Sequence, residues 1–241
     1  EFLITKTGRR LAYVQTAGKG PGVVFLGGFM SDMSGTKALH LEAWCEAQGR
    51  AFLRFDYSGH GASSEVFTDG CVGDWAEDAQ AAIEVLTQGK QILVGSSMGG
   101  WISMLMAQRL PDRLAGLVTI AAAPDFTEDG FWASFNEDTR RLLLQEGVVN
   151  IPSDYGEPYP ITKRLIEDGR SHLVLRKPLS LPFPVRLLQG DEDVDVSVEL
   201  ANTLFSHIKG PDVQLKFLKG ADHRFSTPKA LALMEAAISD V

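Results

Sequence analysis

The chain is poor in cysteine. Cys45 and Cys71 are the only two in 241 residues, too few for a disulfide framework, and neither falls in a Cys-x-x-Cys or Cys/His ligand spacing. They read as two thiols of a reducing compartment, which argues against a disulfide-stapled scaffold or a zinc module. Long apolar runs are also missing. The longest, LAGLVTIAAA at 114–123, is half the length of the roughly 20 residues a spanning helix needs and contains a glycine. It is expected to be a buried strand, and no integral membrane association is expected. Basic residues are outnumbered, with 23 Lys and Arg against 31 Asp and Glu and a formal net charge of −8. Phosphate contacts need clustered cations, so neither nucleic acid nor an anionic membrane surface is the expected partner. A neutral or cationic small molecule fits better. Internal repeats and low-complexity tracts are absent from the sequence. The chain opens at Glu1 with neither a leader-like segment nor an initiator Met, which leaves room for residues upstream and does not settle a compartment.

What is present is an ordinary globular composition, 44% hydrophobic and 22% charged, enough for one sizeable core. FLITK and LAYVQT flank TGRR with alternating apolar positions, the pattern of an N-terminal β-hairpin. After GKGPG comes the apolar run VVFL (23–26), then a helical stretch at 37–48 with Ala38, Leu41 and Trp44 on one face. The alternation then recurs. AFLRF (51–55) precedes a helix at about 72–87, QILV (91–94) one at about 98–109, VRLLQ (185–189) one at about 198–207, and VQLKFL one at about 228–239. Short apolar strands alternating with amphipathic helices build an α/β, doubly wound, mostly parallel sheet. Residues 123–184 break the rhythm: they hold helical patterns with no intervening strand and are too long for a connection. They read as a small helical cap inserted within a single 1–241 domain.

In such sheets reactive groups gather at the carboxyl ends of the strands. Four clusters lie there. In GSSMGG (95–100), Ser97 centres a Gly-x-Ser-x-Gly between a strand and a helix. A nucleophile on so sharp a turn needs side-chain-free residues two before and two after it; Gly95 and Gly99 meet that demand for Ser97. For Ser96 the same positions are Val94 and Met98, both bulky. Read blandly, Ser97 would only cap a helix. His223, in GADHRF, follows the last strand and is the expected base. His40 and His207 lie in predicted helices and His172 in the cap; His60, in DYSGHGASS, precedes the nucleophile, whereas this topology places the base after it. His60 is therefore read as a loop residue near the mouth of the site. In LLQGDEDVDV, one of Asp191, Glu192, Asp193 and Asp195 should orient His223. Local physics leaves the choice among them open, and Asp222, adjacent to the histidine, is the weaker candidate. A calcium loop fails, because its turn glycine would be Val196 and its twelfth-position Glu would be Asn202, so no metal or other cofactor is expected. In FLGGFM (25–30) small residues free the Phe29 N–H to join that of Met98 in an oxyanion hole. Trp101, Phe126, Phe131, Trp132 and Phe135 either line an apolar acyl pocket or form the cap's own core.

FLGGFMSDMSGTKA, RFDYSGHGASS, ILVGSSMGGW, RLLQGDEDVDV and DHR together resemble the α/β-hydrolase superfamily. More narrowly, they resemble the α/β-hydrolase-domain-containing protein 10 group and its bacterial relatives. The resemblance implies serine-dependent hydrolysis of esters or thioesters; palmitoyl-protein thioesterase and acyl-glucuronide esterase activities belong to that group. Its acid occurs as Gly-x-x-Asp-x-x-Val, which by analogy selects Asp193 between Gly190 and Val196. The sequence departs from the group's pattern at Gly27 (a Pro there), Gln189 (commonly His) and Ser197 (Pro). The implied compartment is the cytoplasm for a bacterial chain or the mitochondrion for a processed eukaryotic one. A ligand-binding protein on the same scaffold and a carbon–carbon bond hydrolase are the rival readings.

Overall fold

The computed structural model describes residues 1–153 and 158–241. Its strands and helices, in chain order, are β1 (Phe2–Ile4), β2 (Arg10–Thr16), β3 (Lys19–Leu26), α1 (Thr36–Ala47), β4 (Arg50–Phe55), α2 (Val72–Leu86), β5 (Gln91–Ser96), α3 (Met98–Arg109) and β6 (Leu114–Ile120). After an intervening segment come β10 (Val185–Gly190), α6 (Val198–His207), β12 (Val213–Leu218) and α7 (Pro228–Ser239). Eight strands form one sheet in the order β1-β2-β4-β3-β5-β6-β10-β12. The hairpin of β1 with β2, and the pairing of β2 with β4, are antiparallel. The remaining neighbours are parallel.

The period of two along each strand divides the core between the two faces of the sheet. Val24, Leu26, Leu53, Phe55 and Leu93 point to the side covered by α2, α3 and α6. Their neighbours Val23, Phe25, Phe52, Ile92 and Val94 point to the side covered by α1 and α7. Burial on both faces explains why these strands read as continuous apolar runs rather than alternating ones. β3 starts four residues earlier than VVFL suggests, at Lys19, with an irregular register between Lys19 and Val23.

Between β6 and β10 lie a π-helical turn (Phe126–Trp132), α4 (Glu137–Glu146), β7 (Val148–Ile151), β8 (Tyr159–Thr162), α5 (Lys163–Gly169) and β9 (Leu179–Ser180). The expectation of an all-helical insert is corrected here, because β7 and β8 pair antiparallel and β9 pairs with β11 (Ile208–Lys209). Strands of two to four residues carry too few positions to reveal a period of two. The helices are bounded by side-chain caps: Asn136 accepts from the Thr139 N–H and Thr162 from the Leu165 N–H. Gly147, at φ 81°, ends α4 in the left-handed conformation.

Candidate active site

Ser97 sits where β5 stops and α3 starts, with φ 54° and ψ −118°, a backbone conformation that side chains disfavour. The surrounding glycines are what permit it. A Cβ on Gly95 would lie 2.3 Å from the Gly99 carbonyl oxygen, and one on Gly99 would lie 2.0 Å from the Leu26 carbonyl oxygen. Gly100 lets α3 pack on the chain after β6, since its Cβ would meet that of Ala122 at 2.7 Å. Ser96, one residue earlier, is the last residue of β5 and only 6% exposed.

His223 follows β12 and reaches across to Ser97. Its Nε2 lies 3.1 Å from Ser97 Oγ, and its Nδ1 lies 2.9 Å from Asp193 Oδ2 and 3.1 Å from Oδ1. The Asp193 side chain is wholly buried and accepts three further hydrogen bonds, from the Asp195 and Val196 N–H groups and from Gln189 Nε2. Burial alone would raise its pKa. The bonds from His223, Val196 and Gln189 outweigh that and hold the carboxyl below the usual range. Two neighbouring acids are engaged elsewhere. Asp191 binds Lys219 Nζ and the Gly220 N–H, while Asp222 accepts the Phe225 N–H and closes a turn. Asp193, Asp195 and His223 bring ligand atoms within 4.8 Å of one another. Both Asp193 oxygens are already occupied by N–H donors, and three residues are short of the four ligands of a closed divalent-metal site.

The chain after β3 lies against Ser97: a Cβ on Gly28 would sit 3.4 Å from that of Ser97. Among the described residues, neither the Phe29 nor the Met98 N–H donates to a backbone carbonyl outside the regular helix and strand ladders, and both residues line the same cleft of about 500 Å³ as Ser97 and His223. Part of the cleft lining is aromatic, a cluster of Phe29, Phe126, Phe131 and Tyr159. Phe29 makes edge contacts with Phe126, Phe131 and Tyr159 at ring-centroid distances of 5.5 to 6.0 Å. Asp32, Lys37, Asp195 and Arg224 also line the cleft.

Of the five aromatic residues considered for a pocket, Phe126 and Phe131 line the cleft. Trp101, Trp132 and Phe135 do not, and that part of the expectation is corrected. Trp101 is fully buried behind the turn and donates its indole N–H to the His172 carbonyl at 2.9 Å. Trp132 carries the guanidinium groups of Arg140 and Arg170 over its ring at 5.0 and 4.9 Å, and Phe135 stacks on Phe131 and is 8% exposed. His60 is corrected as well: it is 4% exposed, beneath the loop rather than at the mouth.

Lys37 was not singled out by its pattern, yet it lines the cleft and donates from Nζ to the Arg224 carbonyl at 2.5 Å. Burial lowers its pKa to about 8 despite nearby Asp222. A lysine beside a small-residue loop carries no sequence signal of this kind; only the approach of α1 to the His223 loop creates it.

The family model described as alpha/beta hydrolase fold matches residues 23–159. The chain belongs to the α/β-hydrolase family. Within that family it is similar to the mitochondrial palmitoyl-protein thioesterase ABHD10 of Bos taurus, 36% identical over 236 residues that span 96% of this chain and 76% of that protein. The structure of mouse α/β hydrolase domain-containing protein 10 superposes with a TM-score of 0.92 at 33% identity, covering 100% of this chain and 96% of the other. A crystal structure from Agrobacterium vitis superposes at 0.94 with 38% identity, covering 98% and 94%. The three departures from this hydrolase group's pattern are accommodated locally. Gln189 is buried and binds Asp193, a Cβ on Gly27 would press on Ser31 Oγ at 3.2 Å, and Ser197 caps α6 by accepting the Leu200 N–H.

Proposed function

We propose that the protein is a serine hydrolase that cleaves carboxylic esters or acyl thioesters through an acyl-enzyme intermediate. The observation that carries this reading is the hydrogen-bonded line from Ser97 Oγ through His223 to the buried carboxylate of Asp193. In the proposed reaction His223 Nε2 accepts the Ser97 hydroxyl proton as Oγ attacks the acyl carbonyl carbon. The carbonyl oxygen becomes an oxyanion, held by the N–H groups of Phe29 and Met98. Asp193 keeps the Nδ1–H tautomer and stabilises the imidazolium. The tetrahedral species collapses as His223 returns the proton to the leaving alcohol or thiol. Water then attacks the acyl-enzyme with His223 again acting as base, which releases the carboxylic acid and restores Ser97.

Residues 123–184 act in this proposal as a cap whose Phe126 and Phe131 form one wall of the acyl chamber. The relatives named palmitoyl-protein thioesterase support long-chain acyl thioesters as the substrates to test first. Their mitochondrial designation makes that compartment the proposed one for a eukaryotic source, with the cytoplasm for a bacterial one. The aromatic cluster in the cleft lining suits an acyl chain, and no cofactor enters the scheme.

A fluorophosphonate probe tests the nucleophile. Stoichiometric labelling should vanish in Ser97→Ala and persist in Ser96→Ala; the opposite pattern defeats the assignment, and no labelling of the unaltered protein favours a binding protein on this scaffold.

A further inference from the structure

His60 is a buried histidine that the proposed reaction does not use. Its Nδ1 lies 3.1 Å from the Ser58 carbonyl oxygen and its Nε2 lies 3.3 Å from the Met30 backbone nitrogen. A carbonyl can only accept, so Nδ1 must carry the proton; an amide N–H can only donate, so Nε2 must be bare. The two neighbours together specify one neutral tautomer. Burial favours that state too, lowering the imidazole pKa to about 4.

The acceptor is itself held. Ser58 donates both its N–H and its hydroxyl to Asp78 Oδ2, at 2.9 and 2.6 Å, and its carbonyl also accepts the Trp75 indole N–H at 3.1 Å. Asp78 is fully buried and paired with Arg9 at 2.8 Å. The ring of His60 is wedged against Phe67 and Trp75, each 5.1 Å away between centroids. Those same two rings contact Phe29, at 5.0 and 6.0 Å.

The donor has reason to be held. Met30 adopts φ 55°, a left-handed conformation unfavourable for any residue with a side chain. That reversal turns the chain directly after Phe29, so the peptide plane that His60 grips is the one next to the Phe29 N–H. We propose that His60 is a positioning residue: by accepting the Met30 N–H it fixes the loop after β3 so that the Phe29 N–H points at the oxyanion. The inference rests on the hydrolase reading given above and adds a requirement to it. His60 touches no reacting atom and acts only through the loop.

The test compares His60→Phe, which keeps a ring but loses the acceptor, with His60→Gln, whose side-chain oxygen can replace Nε2. With a p-nitrophenyl ester, His60→Phe should lower kcat about tenfold to hundredfold while KM changes little. Affinity for an alkyl trifluoromethyl ketone, whose adduct with Ser97 places an oxyanion in the hole, should fall by a similar factor. His60→Gln should recover most of both losses. A rise in KM alone, or unchanged ketone affinity, overturns the proposal. The unaltered protein supplies a second measurement, independent of whether His60→Phe folds: nitrogen-15 NMR should show His60 protonated at Nδ1 and bare at Nε2. The opposite tautomer overturns it. A Ser97→Ala control that retained full turnover would refute the hydrolase reading instead, and the NMR result does not depend on that control.

Discussion

Gly99→Ala adds one methyl group where the fold has no room for it. The new Cβ would lie 2.0 Å from the Leu26 carbonyl oxygen and 2.6 Å from that of Gly27. Both are backbone atoms of β3 and its exit, so relief requires the strand and α3 to separate by about 1 Å or more, not a side-chain rotation. Two effects oppose. Alanine gains roughly 1 kcal/mol over glycine as a helix former. Overpacking against rigid backbone costs about 1–3 kcal/mol, occasionally more, and it wins here because the contact is far inside the repulsive wall. The net loss corresponds to a Tm lower by several degrees at about 2–4 °C per kcal/mol for a chain of this size. Activity should suffer more than stability. The displaced strand leads into Gly28 and Phe29, beside Ser97, and a 1 Å misplacement of a catalytic group costs on the order of 10²-fold. Thermal melts and kcat on a p-nitrophenyl ester would read both. Gly28→Ala is the control for the melts only, since its Cβ would make an ordinary 3.4 Å contact with Ser97 Cβ. If Gly99→Ala matched the unaltered protein in Tm and kcat, the steric argument for Ser97 as the centre of the turn would be refuted.

Other expected outcomes test separate parts of the molecule. Asp193→Asn should leave the fold intact and lower kcat by about 10³- to 10⁴-fold by failing to hold the Nδ1–H tautomer; steady-state kinetics with retained activity would remove Asp193 from the site. Lys37 has a folded-state pKa near 8, below its ordinary 10.5, so the unfolded chain binds more protons between those values. Its contribution to stability should therefore rise with pH from about 8 to 10.5, seen as a slope in urea midpoints that Lys37→Met abolishes. Arg9→Met removes the partner of the buried Asp78 and should cost about 3–5 kcal/mol in denaturant melts; a loss under about 1 kcal/mol would mean Asp78 is satisfied by Ser58 alone. A panel of acyl esters and thioesters should favour long chains, and an optimum at about two to four carbons would count against the aromatic chamber as an acyl pocket.

Much of the frame was legible in the primary structure. α6 and α7 fall at the residues their amphipathic patterns mark, α3 falls at its expected residues although Met98 to Ala107 are all buried, and the parallel strands fall on apolar runs. The reason is local: burial on both sheet faces or on one helical face imposes a period that any sequence window reveals. The turn at Ser97 was legible for a similar reason, because the steric demand is on residues two positions away and only glycine satisfies it. The short strands of the insert were not, since β7 and β8 have four residues each and are specified by pairing with one another. Nor was the difference among aromatic residues. Phe131 faces the cleft while Phe135, four residues on, stacks behind it, and nothing in their spacing distinguishes front from back.

The sequence by itself determined the alternation of strands and helices and the register of the Ser97 turn, because each depends on contacts within a few residues of chain. Local physics left open which of the four acids after β10 meets His223, and only the family resemblance pointed to Asp193; tertiary structure makes that contact, places His60 under the loop after β3 and brings Lys37 to the cleft. Those outcomes join residues separated by 30 to 187 positions. Their geometry is set by how β3, β10 and β12 end against one another in the folded sheet, information that no local pattern carries.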